Sequence, residues 1–273
     1  MTELVEHFPT IFALMLTGVF AGILAGLLGV GGGIVIVPVL YFLFQHFGVS
    51  ADSAMLVATA TSLATIVPTS ISSIRSHHKK GNVDLVLLRQ WAIFVLLGVL
   101  LGSWLVTQIK GSWLTLLFSF IAILAALNML FRAGKPALFQ ALPGRLGQGT
   151  IATNIGAFSA MVGIGGGTLS VPILTACNYP AHKAVGTAAA IGLIISLPGA
   201  LTMLTLGTTP VDAPVLTFGL VNVISFLCIV PLTVLFAPVG AALANRLDAT
   251  LLKRIFAIAL LITGLRMLGQ ILL

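Results

Sequence analysis

Ten apolar runs, separated by short polar joints, take up almost the whole chain and constrain its fold more than any other feature. They fall at about residues 9–30, 33–48, 53–74, 84–108, 112–132, 147–163, 167–178, 183–206, 214–240 and 250–272. A helix of about 20 apolar residues crosses a bilayer, and most of the runs approach that length. Of 273 residues, 59% are hydrophobic and 7% charged, against about 25% charged in a soluble domain. A soluble globule built this way would have almost nothing to cover its surface with. The pattern predicts an all-α polytopic membrane protein, a single domain over residues 1–273, with the lipid bilayer as its surroundings.

The charges support this by where they lie. There are 13 Lys plus Arg against 6 Asp plus Glu, a net charge of +7, which taken alone points to nucleic acid. They sit between the apolar runs, so they read as topology signals, and no nucleic-acid partner is expected. Glu3 and Glu6 stand where a signal peptide would carry basic residues, so the first helix is expected to stay in the mature chain. Cys177 and Cys228 lie in apolar context without metal spacing. Neither a disulfide framework, a metal site nor a cofactor is expected.

Two runs, 33–48 and 167–178, are short for a span, and each begins after a triple glycine. Such interrupted segments at matching places in two halves point to a transporter's binding site. The halves match by subtraction. Gly29-Val30-Gly31-Gly32-Gly33 through Pro38 lines up with Gly163-Ile164-Gly165-Gly166-Gly167 through Pro172 at 163 − 29 = 134. Gly102, Phe118, Leu127, Met129 and Leu130 match Gly240, Phe256, Leu265, Met267 and Leu268 at 240 − 102 = 138, and Ala58-Thr59-Ala60 pairs with Gly186-Thr187-Ala188 at 186 − 58 = 128. The reading is repeat 1 over about 9–132, a basic linker over about 133–146 containing Lys135, Pro136 and Arg145, and repeat 2 over about 147–273.

Orientation follows the Lys/Arg bias of short loops. The loop with Arg75, Lys79 and Lys80, the central linker with Arg132, and the loop with Arg246, Lys253 and Arg254 are assigned to the cytoplasm. The N-terminus then lies outside. Each repeat has about five hydrophobic segments, an odd number, so the repeats are expected to be inverted, with short broken or re-entrant helices after the GGG motifs.

An ionisable residue inside a membrane is normally the first functional candidate. Here Asp52, Asp84, Asp212 and Asp248 lie at segment ends, as do His7, His46, His77, His78 and His182. Intramembrane aspartyl or zinc proteolysis needs such groups in the interior, and a serine nucleophile needs a deep base. The chain is therefore not expected to be an enzyme. The interior offers backbone instead. Glycine admits a ligand close to the main chain, and a helix restarting after a break exposes unpaired N–H groups and a positive dipole end, a ready anion site. The candidate substrate-binding residues are Gly31, Gly32, Gly33, Gly165, Gly166 and Gly167, with Thr168, Thr59 and Thr187 as hydroxyl donors and Ser170 and Thr61-Ser62 beside them. No catalytic residue is assigned.

Other residues have plainer readings. Gly18, Gly22 and Gly26 recur at the four-residue spacing that brings membrane helices together. Pro38 and Pro172 are placed near the first turns of their helices, where a missing N–H costs little. Pro68 and Pro198 are expected to kink theirs. Arg266 is expected to snorkel to the interface, and Asn128, Asn154 and Asn222 to bond between helices. Cys177 lies about 15 Å along its helix from Gly167, too far to touch a ligand at the glycines.

With these residues in view, the chain resembles the TauE/SafE family of sulfite exporters, also called the toluene-sulfonate uptake permease (TSUP) family. The resemblance rests on the paired GxGGG motifs with their prolines, Ala184-Val185-Gly186-Thr187, and the turn from Arg75 through His77-His78-Lys79-Lys80-Gly81-Asn82 to Asp84. It covers essentially the whole chain; the first repeat departs from the pattern only in carrying Ala58 where the second has Gly186. It implies transport of a small sulfur-containing anion, such as sulfite or an organosulfonate, across a bacterial inner membrane. The expected function is a secondary transporter with alternating access. Export is favoured because a negative interior expels an anion with about 2.3 kcal/mol per charge per 100 mV. Proton- or sodium-coupled uptake, an anion channel and a membrane assembly subunit stand as alternatives, and a homodimer is possible.

Overall fold

The computed structural model describes residues 2–132, 136–243 and 249–272. Lys135, Arg246 and Asp248 lie outside the described residues, as do the side chains of Glu3, Glu6, His7 and Lys253. Among the described residues the chain forms ten helices: α1 (Thr2–Leu28), α2 (Gly33–His46), α3 (Ala51–His78), α4 (Leu85–Val106), α5 (Gly111–Phe131), α6 (Arg145–Val162), α7 (Gly167–Ala176), α8 (Ala181–Thr205), α9 (Val223–Leu243) and α10 (Ala249–Leu272). Six of them, α1, α3, α4, α5, α8 and α9, are long and apolar enough to cross a membrane. The protein is an all-α polytopic membrane protein.

One expected run is divided. The segment at 214–240 begins with a two-stranded hairpin, β1 (Thr217–Phe218) and β2 (Val221–Asn222), pairing Thr217 with Asn222 and Phe218 with Val221. Pro210 and Pro214 interrupt a helix there, and Gly219 supplies the positive φ of the turn. The Asn222 side chain then accepts from the Ser225 amide and starts α9, while its own amide donates to Thr61 Oγ1 at 2.9 Å. Asn222 thus caps α9 with its side chain and ties that cap to α3 through its backbone amide, whereas Asn154 bonds back to Thr150 of its own helix and not between helices, as the sequence suggested. Arg266 stacks over the Phe42 ring at 4.4 Å, joining α10 to α2.

In lipid, association depends on close packing rather than on water, and glycine provides it. A Cβ on Gly18, Gly22 or Gly26 would stand 2.8, 2.8 or 1.9 Å from the Ile229, Thr233 or Ala237 carbonyl of α9, so α1 lies backbone to backbone along α9. Gly98 and Gly102 bring α4 equally near α6, at 2.0 Å from the Thr153 carbonyl and 2.4 Å from that of Ala157. The other pairings complete a pattern. α5 packs on α10 and α3 on α8; α4 lies on α8 as α9 lies on α3; α2 lies on α3 as α7 lies on α8. α3 and α8 form the enclosed centre, while α4, α5 and α9 present more of their surface outward.

The two short helices differ from the spans in kind. At 1.5 Å per residue, the 14 residues of α2 reach about 21 Å and the 10 residues of α7 about 15 Å. Neither covers a hydrocarbon core of about 30 Å. Pro38 and Pro172 are each the sixth residue of their helices, a turn deeper than the sequence reading placed them. An amide at that position would bond the Ile34 or Thr168 carbonyl, so each proline removes an internal bond.

Candidate functional site: two glycine breaks that cross

After Leu28 the chain leaves the helix through Gly29, Gly31 and Gly32, with φ of +68°, +75° and +80°. Only glycine adopts this left-handed backbone without strain. α6 ends differently. Gly163 at φ +72° terminates it, and the Ile164 amide returns to the Ser159 carbonyl at 3.0 Å, a Schellman-type closure. Gly165 and Gly166 then carry ordinary backbone into α7.

The two breaks meet. A Cβ on Gly31 would stand 3.3 Å from Gly165 Cα, one on Gly165 would stand 2.4 Å from the Val30 carbonyl, one on Gly167 2.2 Å from that of Gly29, and one on Gly33 2.4 Å from that of Gly163. Their level is set by Ser62 and Ile66, midway along α3, and by Ile191 and Gly192, near the middle of α8. Ser62 Oγ donates to the Gly163 carbonyl at 2.7 Å and holds the second break to α3. Among the described residues the amides of Val30, Gly31, Gly165 and Gly166 have no backbone hydrogen-bond partner, and neither Gly32 nor Gly166 provides a side-chain cap.

Buried hydroxyls surround the crossing. Buried polar atoms normally find partners, yet the hydroxyls of Thr59, Ser70, Ser159, Thr168 and Ser196 have none among the described residues. Thr59 lies against Gly163, and Ser159 closes the end of α6. Thr168 is the second residue of α7 and Ser196 lies one turn along α8 from Gly192. All six glycines named in the sequence reading come together here, with Thr59 and Thr168. Thr187 does not join them. It lies a turn and a half nearer the start of α8, and its Oγ1 accepts from the Asp84 amide at 3.0 Å. Ser170 donates back to the Gly166 carbonyl at 2.6 Å. Sequence reasoning missed Ser70, Ser159 and Ser196, although Gly192, Ser196 and Gly199 do repeat as a small-residue stripe on α8.

Loops at the helix ends hold the two halves together. Asp84 caps α4 by accepting from the Val86 and Leu87 amides at 2.9 and 3.0 Å, and it accepts from the Tyr179 hydroxyl. That bond, ahead of the two amides, holds its carboxyl below the usual carboxylate range; burial and the same contact push the Tyr179 phenol up. Asp212 takes the Ser53 hydroxyl and the Ser50 amide, the latter at 2.8 Å, and is held down at about 2, chiefly by Ser53. A separate groove of about 660 Å³ lies between α4 and α6, lined by Trp91, Phe94, Arg145 and Gln148 among others, toward the far end of α6 from the break.

Interrupted helices that meet inside a helical membrane protein are the arrangement found in many transporters. The sulfite exporter TauE/SafE family model matches residues 14–267, and the chain belongs to that family. It is 30% identical over 260 residues to a probable membrane transporter protein of Haemophilus influenzae, covering 95% of this chain and 98% of that one. A probable membrane transporter protein of Methanocaldococcus jannaschii is 29% identical over 209 residues, 71% of this chain and 73% of its own. The probable membrane transporter protein YunE of Bacillus subtilis is 26% identical over 283 residues, 94% of this chain and 97% of its own. No solved structure matches the chain.

Proposed function

We propose that the protein is a secondary transporter for a small sulfur-containing anion, sulfite or an organosulfonate, bound where the glycine breaks cross. The observation that carries this is the coincidence of unpaired amides with partnerless hydroxyls at one level of the molecule. Donors left unpaired, with no cation beside them among the described residues, suit an anion whose charge is met by helix ends. The exchanged helix pairings support two inverted repeats that rock about this level in alternating access. The N-terminus lies outside a bacterial inner membrane, export runs down the membrane potential, and the chain works alone or as a homodimer.

A second reading has its own observation. The prolines leave the Ile34 and Thr168 carbonyls without an amide from Pro38 or Pro172, and free carbonyls in broken helices bind sodium in some transporters. Sodium-driven uptake would use them. Proteoliposomes loaded with sulfite, thiosulfate, sulfoacetate, taurine or acetate, under imposed proton, sodium or voltage gradients, test both. Saturable, counter-flow-stimulated flux of the sulfur anions is expected. Linear, very fast conductance would instead make the protein a channel, and sodium dependence would reverse the direction.

A further inference from the structure

Resting on that anion-transport reading, we infer that one substrate oxygen is held in a niche on the second-repeat side of the crossing, between Ser70, Gly192 and the Gly166 amide. Gly192 has no backbone reason to be glycine. It lies inside α8, and a Cβ there would meet only Ser70 Oγ at 3.1 Å and the Gly166 nitrogen at 3.6 Å. Most glycines of the breaks would instead drive a Cβ into backbone at 2.8 Å or less. Gly192 leaves its Cα bare between Ser70 Oγ and the Gly166 nitrogen, where any other residue would put a side chain.

The walls of that space specify its occupant. Ser70 Oγ is buried, 1% exposed, and has no partner. The Gly166 amide has none in the backbone and can only donate. A substrate atom that bonds both groups beside the bare Gly192 Cα must be an acceptor. α7 starts at this point, so its dipole adds positive potential, and an anionic oxygen gains most from it. Thr168, in the first turn of α7, offers a further free hydroxyl.

The first repeat lacks the niche. At the offset that pairs Ala58 with Gly186, Gly192 corresponds to Ala64 and Ser70 to Pro198, so a methyl fills the one place and no hydroxyl stands at the other. Beside Gly32, the counterpart of Gly166, stands the Ala21 carbonyl, 2.8 Å from the Cβ position, which repels an anion. The substrate is therefore held asymmetrically in a symmetric frame.

A methyl at 192 presses only on Ser70 Oγ, at 3.1 Å, a hydroxyl that gives by turning about its own bond, and it covers the bare Cα. Purified Gly192→Ala, Ser70→Ala and Gly199→Ala are compared with the unaltered protein for equilibrium binding of radiolabelled sulfite, thermal melting and sulfite flux. Gly199 is a control on the same helix, where a Cβ meets only side chains, nearest Leu63 Cδ1 at 3.0 Å. Gly192→Ala is expected to melt at or above the unaltered protein, since alanine is the better helix former, and to bind sulfite about tenfold more weakly or worse. Ser70→Ala should lose about tenfold as well, one hydrogen bond to a charged group, and Gly199→Ala should change little. Unchanged affinity in Gly192→Ala and Ser70→Ala, or no sulfite binding by the unaltered protein, overturns the niche. Binding that obeys the pattern without any flux would keep the niche and sink the transport reading instead.

Discussion

The two glycine breaks share a motif but not a chemistry. The first spends its glycines on backbone: three take left-handed φ, and the helix that follows reads Gly33-Ile34-Val35-Ile36, apolar from the start. The second has a single left-handed glycine, Gly163, and continues Gly167-Thr168-Leu169-Ser170. One break is a scaffold that lets the chain turn within tight quarters. Its partner reaches the crossing with ordinary backbone and brings the Thr168 hydroxyl close behind it. A matching motif thus takes two backbone forms, and the side chains that follow it differ.

The largest test of that contrast is Gly32→Ala beside Gly166→Ala. Gly32→Ala combines a forced positive φ, costing about 1–3 kcal/mol, with overlap on the Ala21 carbonyl, and is expected to leave little folded protein. Gly166→Ala keeps an ordinary φ and presses mainly on the Ile191 side chain at 2.7 Å; about 1–3 kcal/mol of overpacking is expected. Melting in detergent ranks the two, and equal losses would erase the distinction.

Exchanging the residue after each restart comes next. Ile34→Thr buries a hydroxyl in an apolar wall and should cost about 1–3 kcal/mol. Thr168→Val removes a hydroxyl that already lacks a partner, so stability should stay within about 1 kcal/mol while sulfite flux falls. A stable, fully active Thr168→Val would remove the functional half of the contrast.

The smallest expected effects concern the loops that hold the halves together. Asp84→Ala removes the α4 cap and should cost about 1 kcal/mol, which chemical unfolding of the purified protein measures. Asp212 is exposed, so its substitution should matter mainly through pH. Its folded pKa is depressed, so its contribution is complete above the ordinary value of 3.8 and is lost as pH falls toward about 2. Melting temperatures taken from pH 5 downward should therefore decline less in Asp212→Asn, and an identical decline would show that Ser50 and Ser53 do not depend on the charge.

Much of this was legible in the sequence because the signals were periodic or local. Apolar length identified the spans, subtraction found the second break, and four-residue glycine spacing on α1 announced the approach to α9. The 217–222 hairpin stayed hidden since Phe218, Leu220 and Val221 join the apolar run of the helix they precede. Thr187 was misplaced toward the crossing because its match with Thr59 locates a residue along a helix without saying what stands beside it. Ser70, Ser159 and Ser196 escaped notice for a related reason. An isolated serine in a membrane helix usually bonds its own backbone, and only three-dimensional neighbours reveal that these do not.

The crossing itself has a mechanical meaning. Packed helices usually interlock side chain into groove, so sliding one along the other means lifting each knob from its hole. Where Gly29 to Gly33 pass Gly163 to Gly167, main chain lies almost bare on main chain. Few side chains stand between the two loops, so shifting one along the other lifts fewer knobs from holes than sliding two packed helices does. What opposes such a shift is the buried Val30 and Ile164 side chains and the Ser62 bond to the Gly163 carbonyl.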